Sequence, residues 1–142
     1  MTTTLLLDNS AWVRLADAAL PKERSDRVAD DLESGRIAAC LPFLLEAGYS
    51  ARNAREHDAL LAELRSLPQY HLDEVVEKRA LDAKAQLVRV GHHRVPPVDL
   101  LVAALADRHG LGVLHYDHDY DLIVEKTDLT FDSVWLAARG TL

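Results

Sequence analysis

The sequence predicts an α/β fold with a mostly parallel central sheet flanked by helices, and three observations lead there. Short apolar runs (Leu5-Leu6-Leu7, Ile37 to Leu41, Gly112 to Tyr116) alternate with longer helical stretches, the pattern that builds parallel sheets by crossover. Val98 to His109 is apolar almost all round, as a helix buried in the middle of a domain is. No repeat, low-complexity tract or long linker divides the 142 residues, so one domain over 1–142 is expected.

Along the chain, Leu5-Leu6-Leu7 reads as a buried strand ending at Asp8. Asn9 and Ser10 offer cap chemistry for a short helix to about Asp17. A second helix fits Glu23 to Ser34, stopped by Gly35, and Ile37 to Leu41 forms a second strand closed by Pro42. Helices are expected over Phe43 to Asn53 and about Arg55 to Ser66, then a short strand at Tyr70 to Leu72. Asp73 caps a long helix with Val76, Ala80, Ala83, Leu87 and Val90 at helical spacing, ended by Gly91. After Pro96-Pro97 comes the apolar helix, with Gly110 as its C-cap. The strand Gly112 to Tyr116, a helix Asp119 to Glu125 and a last strand Leu129 to Val134 complete the reading.

The composition, 49% apolar and 27% charged, is that of a folded globular chain. The single cysteine, Cys40, has no internal partner and lies in an apolar run, so a buried, inert thiol in a reducing cytoplasm is expected. No run approaches the roughly 20 apolar residues of a membrane span, and the first residues, Met1 to Leu7, lack the basic segment and apolar core of a secretion signal. The net charge of −7 argues against a nucleic-acid partner, but its distribution does not. Acids predominate from Asp99 onward, whereas Lys78, Arg79, Lys84, Arg89 and Arg94, with His92 and His93, form a basic stretch. Charge alone leaves open whether both are merely solvated faces.

Sites in open parallel sheets form beyond the carboxyl ends of the strands. Asp8 and Asp117 follow two apolar strands, and Glu46 and Asp99 lie in or at the start of apolar helices, so four carboxylates from distant segments are placed to meet at one sheet edge. Such a cluster is costly without a counter-charge, because each acid raises the pKa of the others. A divalent cation resolves this; oxygen-only ligation suits Mg²⁺ or Mn²⁺ better than zinc. Such a cation acidifies a water and stabilises charge on a phosphodiester. Each acid also has a plainer role: Asp8 and Asp99 as helix caps, Glu46 facing solvent, Asp117 and Asp119 as turn residues.

Order and context favour the first reading. Leu6-Leu7-Asp8-Asn9-Ser10, Leu44-Leu45-Glu46-Ala47, Val98-Asp99-Leu100-Leu101 running to His109-Gly110-Leu111, and Asp117-His118-Asp119-Tyr120 occur in this order. In that series the chain resembles the PIN domain of VapC-type toxins along nearly its whole length. The resemblance implies a PIN-like three-layer fold. It implies a metal held by Asp8, Glu46, Asp99 and Asp117, with Asp119 as an auxiliary ligand and Ser10 orienting Asp8 or a water. It further implies Mg²⁺- or Mn²⁺-dependent cleavage of structured RNA such as a tRNA or rRNA loop, homodimerisation, and inhibition by a VapB-like antitoxin. Tyr120 stands where Phe is common, a change expected to matter little.

Other features are weighed against this. His115 and His118 flank Asp117, but their spacing is poor for zinc or nickel and no cysteine assists. His92-His93-Arg94 could meet an RNA backbone or be a bare exposed loop. Trp12, Tyr49 and Trp135 suit core or dimer packing better than base stacking. No GxGxxG, P-loop, GxSxG or paired-cysteine pattern is present. Asp8-Asn9-Ser10 lacks the second acid of a haloacid-dehalogenase-type phosphatase. A non-catalytic PIN-like module holding RNA or protein is the alternative.

Overall fold

The computed structural model describes residues 3–142; Met1 and Thr2, part of the segment on which the expectation of no leader rests, lie outside them. The chain runs β1 (Leu5–Leu7), α1 (Asn9–Trp12), α2 (Lys22–Glu33), β2 (Ile37–Cys40), α3 (Leu41–Tyr49), α4 (Ala54–Arg65) and β3 (Gln69–Tyr70). It continues with α5 (Glu74–Arg89), α6 (Pro97–His109), β4 (Gly112–His115), α7 (Asp119–Lys126) and β5 (Asp132–Trp135). The five strands form one all-parallel sheet in the order β3-β2-β1-β4-β5. Every residue of β2 and β4 is buried, which is why these strands read as continuous apolar runs.

β1 is central, paired through Leu5 with Ile37 on one side and Gly112 on the other. Val28 of α2 shares a cavity with Leu5, Leu114 and Val134 on one face of the sheet. The right-handed crossover rule places α6 on the other face, since the chain there travels back across the sheet from β3 to β4. α6 packs on β1 and β4 and against α3, α5 and α7. Its Val102, Ala103, Ala104, Leu105 and Ala106 are all fully buried. The layers are therefore helix, sheet, helix, as the sequence predicts.

Two glycines fix the approach to β4. Gly110 ends α6 in the left-handed region at φ 66°, where other residues are strained. A Cβ on Gly112 would lie 2.6 Å from Leu5 Cδ2 and 3.1 Å from the Asp132 carbonyl oxygen, so any larger residue there would make Leu5 move and crowd β5.

Several boundaries differ from the sequence expectation. α1 stops at Trp12 instead of about Asp17, because the bonds after it, such as Leu15 N–H to the Trp12 carbonyl, reach back three residues and tighten the chain into turns. Its cap is Asp8 itself, not Asn9 or Ser10. Pro42 lies in the first turn of α3, where a missing N–H costs nothing, and α3 ends at Tyr49; Asn53 instead caps α4. β3 is Gln69–Tyr70, and β5 starts only at Asp132, because Leu129 and Phe131 are buried from a loop without entering the ladder. Asp99 is the third residue of α6, whose cap is Pro96. Among the described residues no helix is long and apolar enough to cross a membrane.

Candidate functional site

From β1 the chain turns toward β2, and from β4 it turns the opposite way toward β5, so a crevice opens between their carboxyl ends. Asp8 follows β1 directly, its N–H bonded to the Leu114 carbonyl at 3.0 Å, and Asp117 lies two residues beyond β4. The first turn of α6 brings Asp99 to the group, and α3 brings Glu46.

Asp8 is only 4% exposed and is held on both oxygens. Oδ2 accepts from the Ser10 N–H at 3.0 Å and the Ser10 hydroxyl at 2.6 Å. Oδ1 accepts from the Tyr120 hydroxyl at 2.6 Å. The Ser10 oxygen in turn accepts from the Tyr116 N–H at 2.8 Å, tying the turn after β1 to the turn after β4. Asp8 is thus a helix cap and a site residue at once, and Ser10 orients it.

Asp99 is 6% exposed, and its Oδ2 is buried without a hydrogen-bond partner among the described residues. Burial first, and then the charges of Asp8, Asp117, Asp119 and Glu46, push its carboxyl up to about 8. Glu46 is half-buried; burial raises its carboxyl first, and Asp8 and Asp117 raise it further against the opposing Asn9 amide. Burial and then Asp117 raise Asp119. Asp99 thus feels the charge of each of the other acids named from the sequence. Asp117, His118 and Asp119 bring ligand atoms within 4.8 Å of one another, while Asp8, Glu46 and Asp99 act on the others through space. An oxygen-rich donor set with a buried, unpartnered carboxylate oxygen fits a hard divalent cation.

His115 and His118 do not form a two-histidine metal site. His115 is fully buried with both ring nitrogens in use: Nδ1 accepts from the Asp117 N–H at 3.1 Å, and Nε2 contacts Ser133 Oγ at 2.7 Å. Since Ser133 donates its own proton to Asp121 Oδ1 at 2.6 Å, Nε2 carries the imidazole proton. Burial lowers His115 to about 4, so the ring is neutral. Asp121 also accepts from Trp135 Nε1 at 2.9 Å. This network fixes the loop carrying Asp117, and sequence reading did not find it because its members meet only across β4, β5 and α7.

Two further features escaped the sequence. The Tyr120 hydroxyl, which a Phe would lack, reaches Asp8 from 112 residues away. Arg14 donates to the Ser10 carbonyl at 2.7 Å and lies over the Tyr116 ring at 4.7 Å, which puts a cation beside the crevice. His92, His93 and Arg94 line a shallow cavity with Asp119. Tyr49 is 91% exposed and so not a core residue; Trp12 packs edge-on against Phe43, and Trp135 against His115 and Tyr116. Cys40 is buried, its thiol pushed up to about 11 by burial, and is inert.

The PIN domain family model matches residues 5–126. The ribonuclease VapC21 of Mycobacterium tuberculosis is 37% identical over 143 residues, covering 99% of each chain. The ribonuclease VapC51 of the same organism is 35% identical over 148 residues, covering 100% of this chain and 99% of its own. Among solved structures, a chain of the DNA-bound VapBC from Salmonella typhimurium superposes with a TM-score of 0.72 at 18% identity, over 96% of this chain and 100% of its own. A chain of VapBC2 from Rickettsia felis, bound to a promoter DNA fragment, does so at 0.71 and 15% identity, over 92% and 98%.

Proposed function

The chain belongs to the PIN-domain family, and from that we propose that it is a metal-dependent endoribonuclease, the toxin of a type II toxin–antitoxin pair. Relatives that align end to end are ribonucleases, and the fold is that of chains found in VapBC complexes. The observation that carries the catalytic part is Asp99, a buried carboxyl among other acids, one of whose oxygens has no hydrogen-bond partner among the described residues.

In this reading Asp8, Glu46, Asp99 and Asp117 hold Mg²⁺ or Mn²⁺, with Asp119 assisting. When bound, such a cation supplies Lewis-acid chemistry at a phosphodiester and an acidified water. The protein's own share is positioning. Ser10 and Tyr120 fix Asp8, and the His115 network fixes the turn that carries Asp117. Asp99, whose carboxyl is pushed up to about 8 by burial and the neighbouring acids, would have to give up its proton to hold the cation. Arg94 supplies positive charge, and His92 and His93 beside Asp119 supply polar contacts, to the RNA backbone flanking the cut. The partners are structured RNA, a VapB-like antitoxin and a second copy of the chain, and the setting is the cytoplasm.

The test is cleavage of structured RNA by the purified chain, freed of any antitoxin, with Mg²⁺ or Mn²⁺. Cuts leaving 5′-phosphates, abolished by EDTA and by Asp99→Asn, are expected. Cation binding without cleavage of any RNA would replace the nuclease with a non-catalytic binding module.

A further inference from the structure

An ionised carboxylate offers about four lone-pair positions to donors or cations. On Asp8 three are filled: two on Oδ2, by the Ser10 N–H at 3.0 Å and hydroxyl at 2.6 Å, and one on Oδ1, by the Tyr120 hydroxyl at 2.6 Å. The remaining position is on Oδ1, the oxygen that Tyr120 holds. We propose that Tyr120 is a positioning residue for the divalent cation: its hydroxyl pins Asp8 Oδ1, so that Asp8 ligates through that oxygen alone.

The hydroxyl has little freedom to do anything else. Tyr120 is fully buried, its ring stacked on His115 at 4.8 Å and 30° and met edge-on by Phe131 at 6.3 Å and 85°. His115 is itself locked by its bonds to Ser133 and the Asp117 N–H. The position of one oxygen on Asp8 is therefore set by a chain of contacts that begins at Asp121, where Ser133 and Trp135 converge. A Phe at this position keeps the packing and loses the bond, leaving Asp8 Oδ1 free to rotate or to ligate with a different geometry. Partners of this kind typically contribute 10- to 100-fold to cation affinity or activity.

This inference rests on the reading of the acidic site as a cation site, and one titration separates the two. Free Mn²⁺ is measured by its paramagnetic resonance as it is added to the wild-type chain and to Tyr120→Phe. In Tyr120→Phe the Mn²⁺ dissociation constant should weaken by roughly tenfold or more. Cleavage should recover much of its rate when Mn²⁺ is raised to saturation, a shift that a general loss of packing would not give. Binding by the wild type with an equal constant in Tyr120→Phe overturns the inference alone; no binding by the wild type overturns the cation site with it. Should Tyr120→Phe fail to fold, fluorotyrosine in the wild-type chain gives a second readout. The fluorine signal left after Phe variants assign Tyr49, Tyr70 and Tyr116 belongs to Tyr120. It should shift on Mg²⁺ titration, and a signal unmoved at saturating Mg²⁺ overturns the inference.

Discussion

Asp31 and Asp99 are both helical carboxylates buried almost completely, at 4% and 6% exposure, yet their surroundings are opposite. At the junction of α2 and β2, Asp31 accepts two bonds from the Arg36 guanidinium, at 2.8 and 3.1 Å, and has Arg27 at 3.4 Å. At the carboxyl edge of the sheet, Asp99 faces Asp8, Asp117, Asp119 and Glu46, and one of its oxygens has no partner. Burying a charge is tolerated when it is paired and hydrogen-bonded. The chain supplies the pairing at Asp31 and withholds it at Asp99, which marks the first as architecture and the second as a place for something from outside. Burial alone does not distinguish a site residue; the sign of its neighbours does.

The largest effect that can break this comparison is on cleavage. Asp99→Asn should cut the rate by roughly 10³-fold, since cation charge on a phosphodiester accounts for several kcal/mol of barrier. Asp31→Asn should leave the rate per folded molecule within about threefold, as its arginines lie on another part of the sheet. Gel-resolved cleavage of one structured RNA by both variants decides it; equal losses would erase the distinction.

Stability without metal should reverse the ranking. In EDTA at pH 8, Asp31→Asn is expected to lose about 1–2 kcal/mol, because Arg36 and Arg27 are 34% and 67% exposed and solvent screens them. Asp99→Asn should instead raise the urea midpoint, since it removes a carboxylate that folding makes costly to ionise. Urea denaturation of both variants is the measurement, and destabilisation by Asp99→Asn under these conditions would contradict the account.

The pH dependence sharpens the same point. Asp99 is raised from its ordinary 3.8 to about 8 in the fold, so its proton favours the folded state. That contribution is complete below about pH 4 and is lost as pH rises toward 8. His115 works in the other direction. Lowered from 6.5 to about 4, it contributes stability above pH 6.5 that is lost as pH falls toward 4. In EDTA, then, the midpoint of Asp99→Asn should climb from pH 4.5 to 6.5 and level off. The wild type should stay nearly flat over that window, where the two contributions cancel, and decline above pH 6.5. Parallel curves for the two proteins would show that Asp99 is not the group responsible.

The smallest expected effect is at the basic loop. Arg94→Ala should raise KM for RNA by about threefold with kcat unchanged, as an exposed charge at the rim of a binding surface does. A fall in kcat with constant KM would place Arg94 among the reacting groups instead.

The four acids were legible because each sits at a position that sequence marks: the end of an apolar strand for Asp8 and Asp117, an apolar helix for Glu46 and Asp99. The parallel sheet was legible for the same reason, since fully buried strands such as Ile37–Cys40 leave continuous apolar runs. What held those acids in place was not. Ser133 and Asp121 belong to different elements and meet His115 only once the sheet is assembled. The Tyr120 hydroxyl looks like a neutral addition to an aromatic until its partner 112 residues away is known. The sequence does not mark Asp31, because an acid on a polar helix face is unremarkable until Arg36 folds back over it. The start of β5 differs from the sequence expectation for a related reason: Leu129 and Phe131 are buried like strand residues but lie outside the strand.

The most direct test is anomalous diffraction from crystals of the chain grown with Mn²⁺. The account predicts a peak between Asp8 and Asp99, with Asp99 Oδ2 as a ligand and Glu46 and Asp117 around it, and none at Asp31. A peak confined to Asp117, His118 and Asp119, or none at the edge of the sheet, would contradict it.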